Sequence, residues 1–157
     1  MKGLAGKNVL VTGASSGIGQ AVAVRFAEEG SHVAINYCRG EAGARQTQQQ
    51  IQNANPAVKS IVVQADVSQP DQVGSMFETA FEELGGLDIL INNAGYQLSA
   101  ESHEMPFEDF VNVIATNLTG AFMCAQFALR HFVENKNPGV IINVSSVHEI
   151  IPKPRFL

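Results

Sequence analysis

The chain has 157 residues, 45% of them hydrophobic and only 16% charged, which is enough apolar material for one globular core and too little length for two ordinary domains. Ten basic against fifteen acidic residues give a net charge of −5 with no run of Lys or Arg, which argues against nucleic acid or an anionic membrane as the main partner. Cys38 and Cys124 stand far apart without Cys-x-x-Cys or Cys/His spacing, so neither a disulfide framework nor a metal site is indicated.

In chain order, the first apolar run, Val9 to Val11, is too short for a signal sequence or a membrane span, and the cytoplasm is the expected compartment. It belongs to "NVLVTG", read as a strand, and "GIGQAVAVRFAEEG" follows with helical spacing. A second strand, "SHVAINY", leads to the helix "EAGARQTQQQIQNAN", whose Gln-rich run is read as a polar face with Ile51 inward. The third strand, "KSIVVQAD", precedes "QPDQVGSMFETAFEELGG", a helix for which Ser68 and Asp71 are the best-placed capping residues. "LDILINNAG" is the fourth strand, "PFEDFVNVIATNLTGAFMCAQFALRHFVENKN" a long helical segment, and "GVIINVSS" the fifth strand. Val/Ile-rich runs alternating with amphipathic stretches predict an α/β fold, a doubly wound parallel sheet with helices on both faces.

Chemistry begins at the first strand-to-helix turn, Thr12-Gly13-Ala14-Ser15-Ser16-Gly17-Ile18-Gly19. Glycine lets the backbone turn tightly and approach a pyrophosphate, and a helix N-terminus offers unpaired N–H groups and partial positive charge. Placed after the first strand of a parallel sheet, the cluster reads as a nucleotide site rather than a bare turn. The same residues also spell G-x-S-x-G around Ser15, the nucleophile elbow of an α/β-hydrolase. That alternative lacks the upstream oxyanion loop such an elbow normally has.

Together with Asp66-Val67 after the third strand, Asn92-Asn93-Ala94-Gly95 after the fourth, Asn117 in the long helix and Ser145-Ser146 after the fifth, this turn resembles the short-chain dehydrogenase/reductase family of classical type. Within it, "NLTGAF" and "SSVHEIIPKP" look closest to the bacterial glucose 1-dehydrogenases. The resemblance implies an NAD(P)-binding Rossmann-like domain over residues 1–157, comprising the first five strands of a normally seven-stranded sheet. It implies oxidoreductase activity on a secondary alcohol or carbonyl, with a sugar such as glucose among the substrates, in a homotetrameric parent enzyme. Carried over residue by residue, Thr12, Gly13, Ser15, Ser16, Gly17, Ile18 and Gly19 surround the pyrophosphate. Asp66 and Val67 hold the adenine, while Asn93, Ala94 and Gly95 lie under the cofactor. Asn117 holds a water in a proton relay, Ser146 bonds the substrate oxygen, and His148 and Gln97 line the substrate pocket. Gln97 stands where glucose-oxidising relatives tend to carry an acid, which leaves the substrate open. A bulky residue at Gly19 is expected to abolish cofactor binding and spare the fold.

Each site has a plainer alternative: Asp66 as a helix starter, Asn93 to Gly95 as a strand-ending turn, Asn117 as a kink, His148 as a loop residue. At the end of the second strand Tyr37, Cys38 and Arg39 include no acid to repel a 2′-phosphate, and Arg39 can pair with one, so NADP is the expected cofactor with NAD also usable. A solvated surface arginine is the alternative there.

In the family, a tyrosine about 13 residues beyond the second serine transfers the proton, and a lysine in a Tyr-x-x-x-Lys motif tunes its pKa. Residues 1–157 contain no such motif. The expectation is a C-terminally incomplete domain, itself inactive, with an inert nucleotide-binding fragment as the alternative reading. An unpaired edge at the fifth strand and an exposed apolar face around Phe122, Phe127 and Leu129 are expected to accompany it.

Overall fold

In a computed structural model describing residues 3–155, the five expected strands form one parallel sheet. They are β1 (Asn8–Val11), β2 (His32–Tyr37), β3 (Ser60–Gln64), β4 (Ile89–Asn92) and β5 (Val140–Asn143). Their order across the sheet is β3-β2-β1-β4-β5. The chain moves outwards from β1 through β2 to β3, then returns beside β1 with β4 and continues to β5. Strand order therefore reverses between β1 and β4, where Val11 stands in register with Ile35 on one side and Ile91 on the other. Open α/β sheets bind ligands in the crevice beyond the carboxyl ends of the strands at such a reversal.

The inner strands β2, β1 and β4 are buried on both faces, yet their side chains still alternate. Val9, Val11, Val33, Ile35, Ile89 and Ile91 face one core with Ala23 and Ala27 of α1 (Gly17–Glu28) and Ala44 and Ile51 of α2 (Glu41–Ala54). Leu10, Ala34, Val63 and Leu90 face the other, with Val73, Met76 and Phe77 of α3 (Pro70–Leu84) and Cys124, Ala128 and Phe132 of α5 (Ala121–Glu134). Gly19, Ala23 and Ala27, each four residues apart, give α1 a stripe of small buried residues along which it lies close to the sheet. Ile51 is wholly buried as expected, with the glutamines around it polar and partly or fully exposed.

The long helical segment is one rod with a flaw. α4 (Phe107–Ile114) and α5 are joined by a π-helical stretch, Ala115–Gly120, that contains Asn117. By length and hydropathy Phe107–Glu134 is long and apolar enough to cross a membrane; most of it is not buried, and one side, at Cys124, Ala128 and Phe132, packs into the core.

Two expectations are corrected. Neither Ser68 nor Asp71 caps α3: the N-cap is Gln69, without a side-chain bond, and Pro70 opens the helix. Ser68 instead turns its N–H and hydroxyl to Asp66 Oδ1, at 2.9 and 2.7 Å. Phe127 does not share the exposed face with Phe122 and Leu129; its ring stacks on Phe77, centroids 5.4 Å apart, on the inward side of α5. β5 is an edge strand with Val140 and Ile142 exposed, as anticipated.

Candidate functional site

The turn after β1 is held by buried side chains from three directions. Thr12 Oγ1 accepts the N–H groups of Asn93 and Ala94, both at 3.0 Å, tying the end of β1 to the end of β4. Asn93 Nδ2 returns the contact by donating to the carbonyls of Thr12 and Gly13, at 2.8 and 3.2 Å. From β2, Asn36 Oδ1 accepts Gly13 N–H at 3.1 Å and the Asn36 carbonyl accepts Ala14 N–H at 2.8 Å. Gly13 is obligatory: its φ is +63°, and a Cβ there would lie 2.9 Å from Ala94 Cα.

These anchors spend the inner polar groups of the turn and leave those at the start of α1 free. The N-cap Ser16 makes no side-chain capping bond, so the N–H groups of the first helical turn have no intrahelical acceptor. Exposed Ile18 sits on the same turn. Gly19 is buried behind it, and a Cβ there would meet Asn93 Nδ2 and lie 2.5 Å from the Gly13 carbonyl oxygen. A bulky residue at Gly19 would displace the turn and the Asn93 side chain locally.

A cleft of about 600 Å³ runs along the carboxyl ends of the strands. Cys38, Arg39, Asp66 and Val67 line it beyond β2 and β3, Gly13, Ser15 and Ser16 beyond β1, and Ala94, Gly95 and Tyr96 beyond β4. Asn112 of α4 and Thr116 of the π-helical stretch close it from the rod. Thr12, Asn93 and Gly19 are not in its lining but brace the residues that are. Ser146, His148 and Gln97 lie outside this lining. Ser146 follows β5 and caps a short 3-10 turn, Val147–Glu149, accepting the His148 N–H at 3.2 Å. Ser145 donates to Glu149 at 2.6 Å, and His148 Nδ1 is 3.0 Å from the Ile151 carbonyl. β5 is fixed beside the cleft floor, since Asn92 Nδ2 donates to Asn143 Oδ1 at 3.0 Å.

Asn117 reaches the cleft indirectly. Its amide spends one donor and its acceptor on the backbone of Tyr96, receiving Tyr96 N–H at 3.0 Å and donating to the Tyr96 carbonyl at 2.9 Å. The π-helical stretch is thereby stapled to the loop after β4. A Cβ at Gly95 would lie 3.1 Å from Asn117 Oδ1, so the closeness of this contact favours glycine there.

Charges gather at the β2/β3 corner. Burial opposes ionisation of Asp66, but the Ser68 hydroxyl and N–H, the Cys38 thiol and Arg39 outweigh it and hold the carboxyl below its ordinary value. Burial, and then the Asp66 carboxylate, push the Cys38 thiol up, with Arg39 pulling the other way. Cys124, deep under α5, is pushed up to about 12 by burial.

Sequence reading missed Asn36, Gln20, Thr47 and Tyr96. Asn36 carried a usable signal: a lone amide in the apolar run "AINY" at a position the strand buries. Tyr96 is identified through its backbone, which no residue type announces.

A glycine-rich turn at a helix N-terminus, set at the reversal point of a doubly wound parallel sheet, defines a Rossmann-type α/β domain. The family description "short chain dehydrogenase" matches residues 7–157, and the chain belongs to that family. It is 48% identical over 153 residues to 3beta-hydroxysteroid dehydrogenase 1 of Eggerthella lenta, covering 98% of this chain and 58% of that protein. Glucose 1-dehydrogenase 2 of Bacillus subtilis is 43% identical over 155 residues, covering 98% of this chain and 59% of its own length. Among crystal structures, a short-chain type dehydrogenase/reductase from Mycobacterium marinum superposes with a TM-score of 0.91 at 37% identity, covering 98% of this chain and 62% of that one. An acetoin dehydrogenase from Salmonella typhimurium gives a TM-score of 0.88 at 34% identity, covering 96% and 58%. The chain thus spans less than two thirds of the length of these relatives.

Proposed function

We propose that the protein is an NAD(P)-dependent oxidoreductase acting on the carbinol carbon of a secondary alcohol, or on the corresponding carbonyl, and that residues 1–157 are its dinucleotide-binding domain. The observation that carries the reading is the cleft. Its lining joins residues distant in sequence in the order a dinucleotide requires: an adenosine corner, a phosphate turn and a floor after β4. The residues fit that group, because the α1 N-terminus lacks a side-chain cap and the cleft volume of about 600 Å³ suits a ligand of that size.

In this reading Ser15, Ser16 and the N–H groups at Gly17 to Gly19 hold the pyrophosphate, while Asp66 and Val67 hold the adenine. Arg39 pairs with a 2′-phosphate, which favours NADP and leaves NAD usable. Asn93, Ala94 and Gly95 support the nicotinamide end. The bound nicotinamide supplies hydride exchange. Ser146 orients the substrate oxygen, with His148 and Gln97 further out in the substrate pocket. Asn117 staples Tyr96 and holds the relay water. A hydroxylated substrate such as a sugar suits the polar segments "YQLSAESHEMP" and "SSVHEIIPKP". A cytoplasmic location and a homotetrameric assembly complete the proposal.

Titration of the full-length protein with NADPH and with NADH, followed by nicotinamide fluorescence, tests it. Saturable binding of at least one is expected, tighter for NADPH; no binding of either removes the reading.

A further inference from the structure

We propose that Thr47, with Gln20, positions the phosphate turn from helix α2, so that the orientation of the anion-binding N–H groups depends on a helix as well as on the sheet. The proposal rests on the dinucleotide reading above and names two residues to which that reading gives no part.

The sheet holds most of the turn's inner backbone. Asn36 accepts the N–H groups of Gly13 and Ala14, and the Asn93 side chain donates to the carbonyls of Thr12 and Gly13. The Ala14 carbonyl is different, because its donor is Thr47 Oγ1, at 2.9 Å, from the middle of α2. Thr47 is fully buried, so water has no route to replace that donor. A helical threonine commonly returns its hydroxyl to the carbonyl four residues back, and Gly43 O is indeed 3.0 Å away. Two features set this hydroxyl apart. Gln20 Nε2, on α1, donates to it at 2.9 Å, which occupies a lone pair and directs the single proton towards the two carbonyls. The hydroxyl then sits at the junction of α1, α2 and the turn.

The approach of α2 is close enough for this to matter. A Cβ on Gly43 would collide with the Ser15 carbonyl oxygen, and one on Gly40 would lie 3.1 Å from Ser15 Oγ. No side chain separates the first turn of α2 from the phosphate turn. The same helix begins at Glu41, with Gly40 alone between it and Cys38 and Arg39. One rigid element therefore reaches from the adenosine corner to the turn, and Thr47 is the hydrogen bond that locks the two.

Thr47→Val keeps the shape and removes the hydroxyl, leaving the buried Ala14 carbonyl and the half-buried Gln20 amide without this partner. In the full-length protein this should raise the dissociation constant for NADPH about tenfold, and Thr47→Ser should restore it to within about twofold. Where turnover is measured, the cofactor KM should rise with kcat at saturation unchanged. Thermal denaturation run beside the titration separates positioning from mere support, since a purely structural threonine would lower the melting temperature and leave affinity below it intact. Gln20→Leu gives a smaller rise and carries the test if Thr47→Val does not fold. Wild-type affinity in Thr47→Val, equal losses in the Val and Ser variants, or wild-type affinity in Gln20→Leu when the Val variant is unfolded would overturn the proposal. Absence of NADPH and NADH binding by the wild type would instead remove the dinucleotide reading beneath it.

Discussion

Cys38 and Arg39 stand just after β2, in the cleft corner proposed to hold the adenosine. The acid missing from this turn in the sequence is met across the corner, since Asp66 at the end of β3 lies beside both. Its carboxylate is engaged by Ser68 and also interacts with the Cys38 thiol and Arg39, and the exposed Arg39 is the charge proposed to meet a 2′-phosphate. Arg39→Asp should therefore weaken NADPH about tenfold or more while changing NADH little, because it replaces a charge-assisted partner with a repelling one. Equal loss for both cofactors would leave Arg39 a surface residue. The Asp66 carboxyl is lowered from 3.8 in the folded protein, so its favourable contribution is fully present above that value and is lost as pH falls through the lower folded one. Nucleotide affinity should consequently show no Asp66-linked change between about pH 5 and 8, a window set by the ordinary carboxylate range. The thiols give a second readout at this scale. Cys38 is exposed and Cys124 buried, so a thiol reagent should modify one group per native chain. Both thiols are raised from 9.0, so that reaction should be slow at neutral pH and accelerate in alkali. Modification of Cys124 before unfolding would contradict its burial.

At the level of elements, apolar periodicity carried most of the information. All five strands and the helices between them are where Val/Ile runs and helical spacing put them, because β1, β2 and β4 are buried on both faces of the sheet and α1, α2, α3 and α5 each bury one face. What sequence could not give was partnership across the chain. Ser68 has the side chain of a cap and serves Asp66, and Phe127 has the exposed spacing of Phe122 but finds Phe77. The site was legible wherever glycine or an Asn-Asn pair marked a turn. It was illegible where a backbone group, such as that of Tyr96, or a buried hydroxyl, such as that of Thr47, does the holding. The π-helical stretch belongs to the same class: Asn117 is a poor helix former, but only its pairing with Tyr96 explains why the rod is interrupted there. Phe77 is the central contact between α3 and α5, fully buried and ringed by Phe81 and Phe127. Phe77→Ala should cost about 3–5 kcal/mol of stability by denaturant titration, the range for emptying a buried aromatic site. A loss below about 1 kcal/mol would mean that α5 docks loosely and closes the space.

For the molecule as a whole, the cleft and the residues proposed to meet a substrate oxygen lie in separate stretches of the chain. The cleft is assembled entirely from β1 to β4, the turns that follow them and the rod, and its walls are held by the Thr12, Asn36 and Asn93 bonds. The residues that would act on a substrate oxygen come after β5, where Ser146 is exposed on a 3-10 turn and no Tyr-x-x-x-Lys motif occurs within residues 1–157. Ser146 can orient an oxygen but is itself no acid at neutral pH, and a missing general acid commonly costs about 10²–10⁴-fold in rate. Meanwhile Phe107, Phe122, Leu129 and Val133 stand exposed along the rod and Val140 and Ile142 along the β5 edge, surfaces that favour association. A polypeptide limited to residues 1–157 should accordingly bind NADPH, self-associate in sedimentation, and show no turnover above background with sugars, polyols or simple secondary alcohols. Turnover that disappeared in Ser146→Ala would sink this expectation. It would place a proton donor inside these residues, and His148, two positions beyond Ser146 with its N–H on that serine's oxygen, would be the group to replace next.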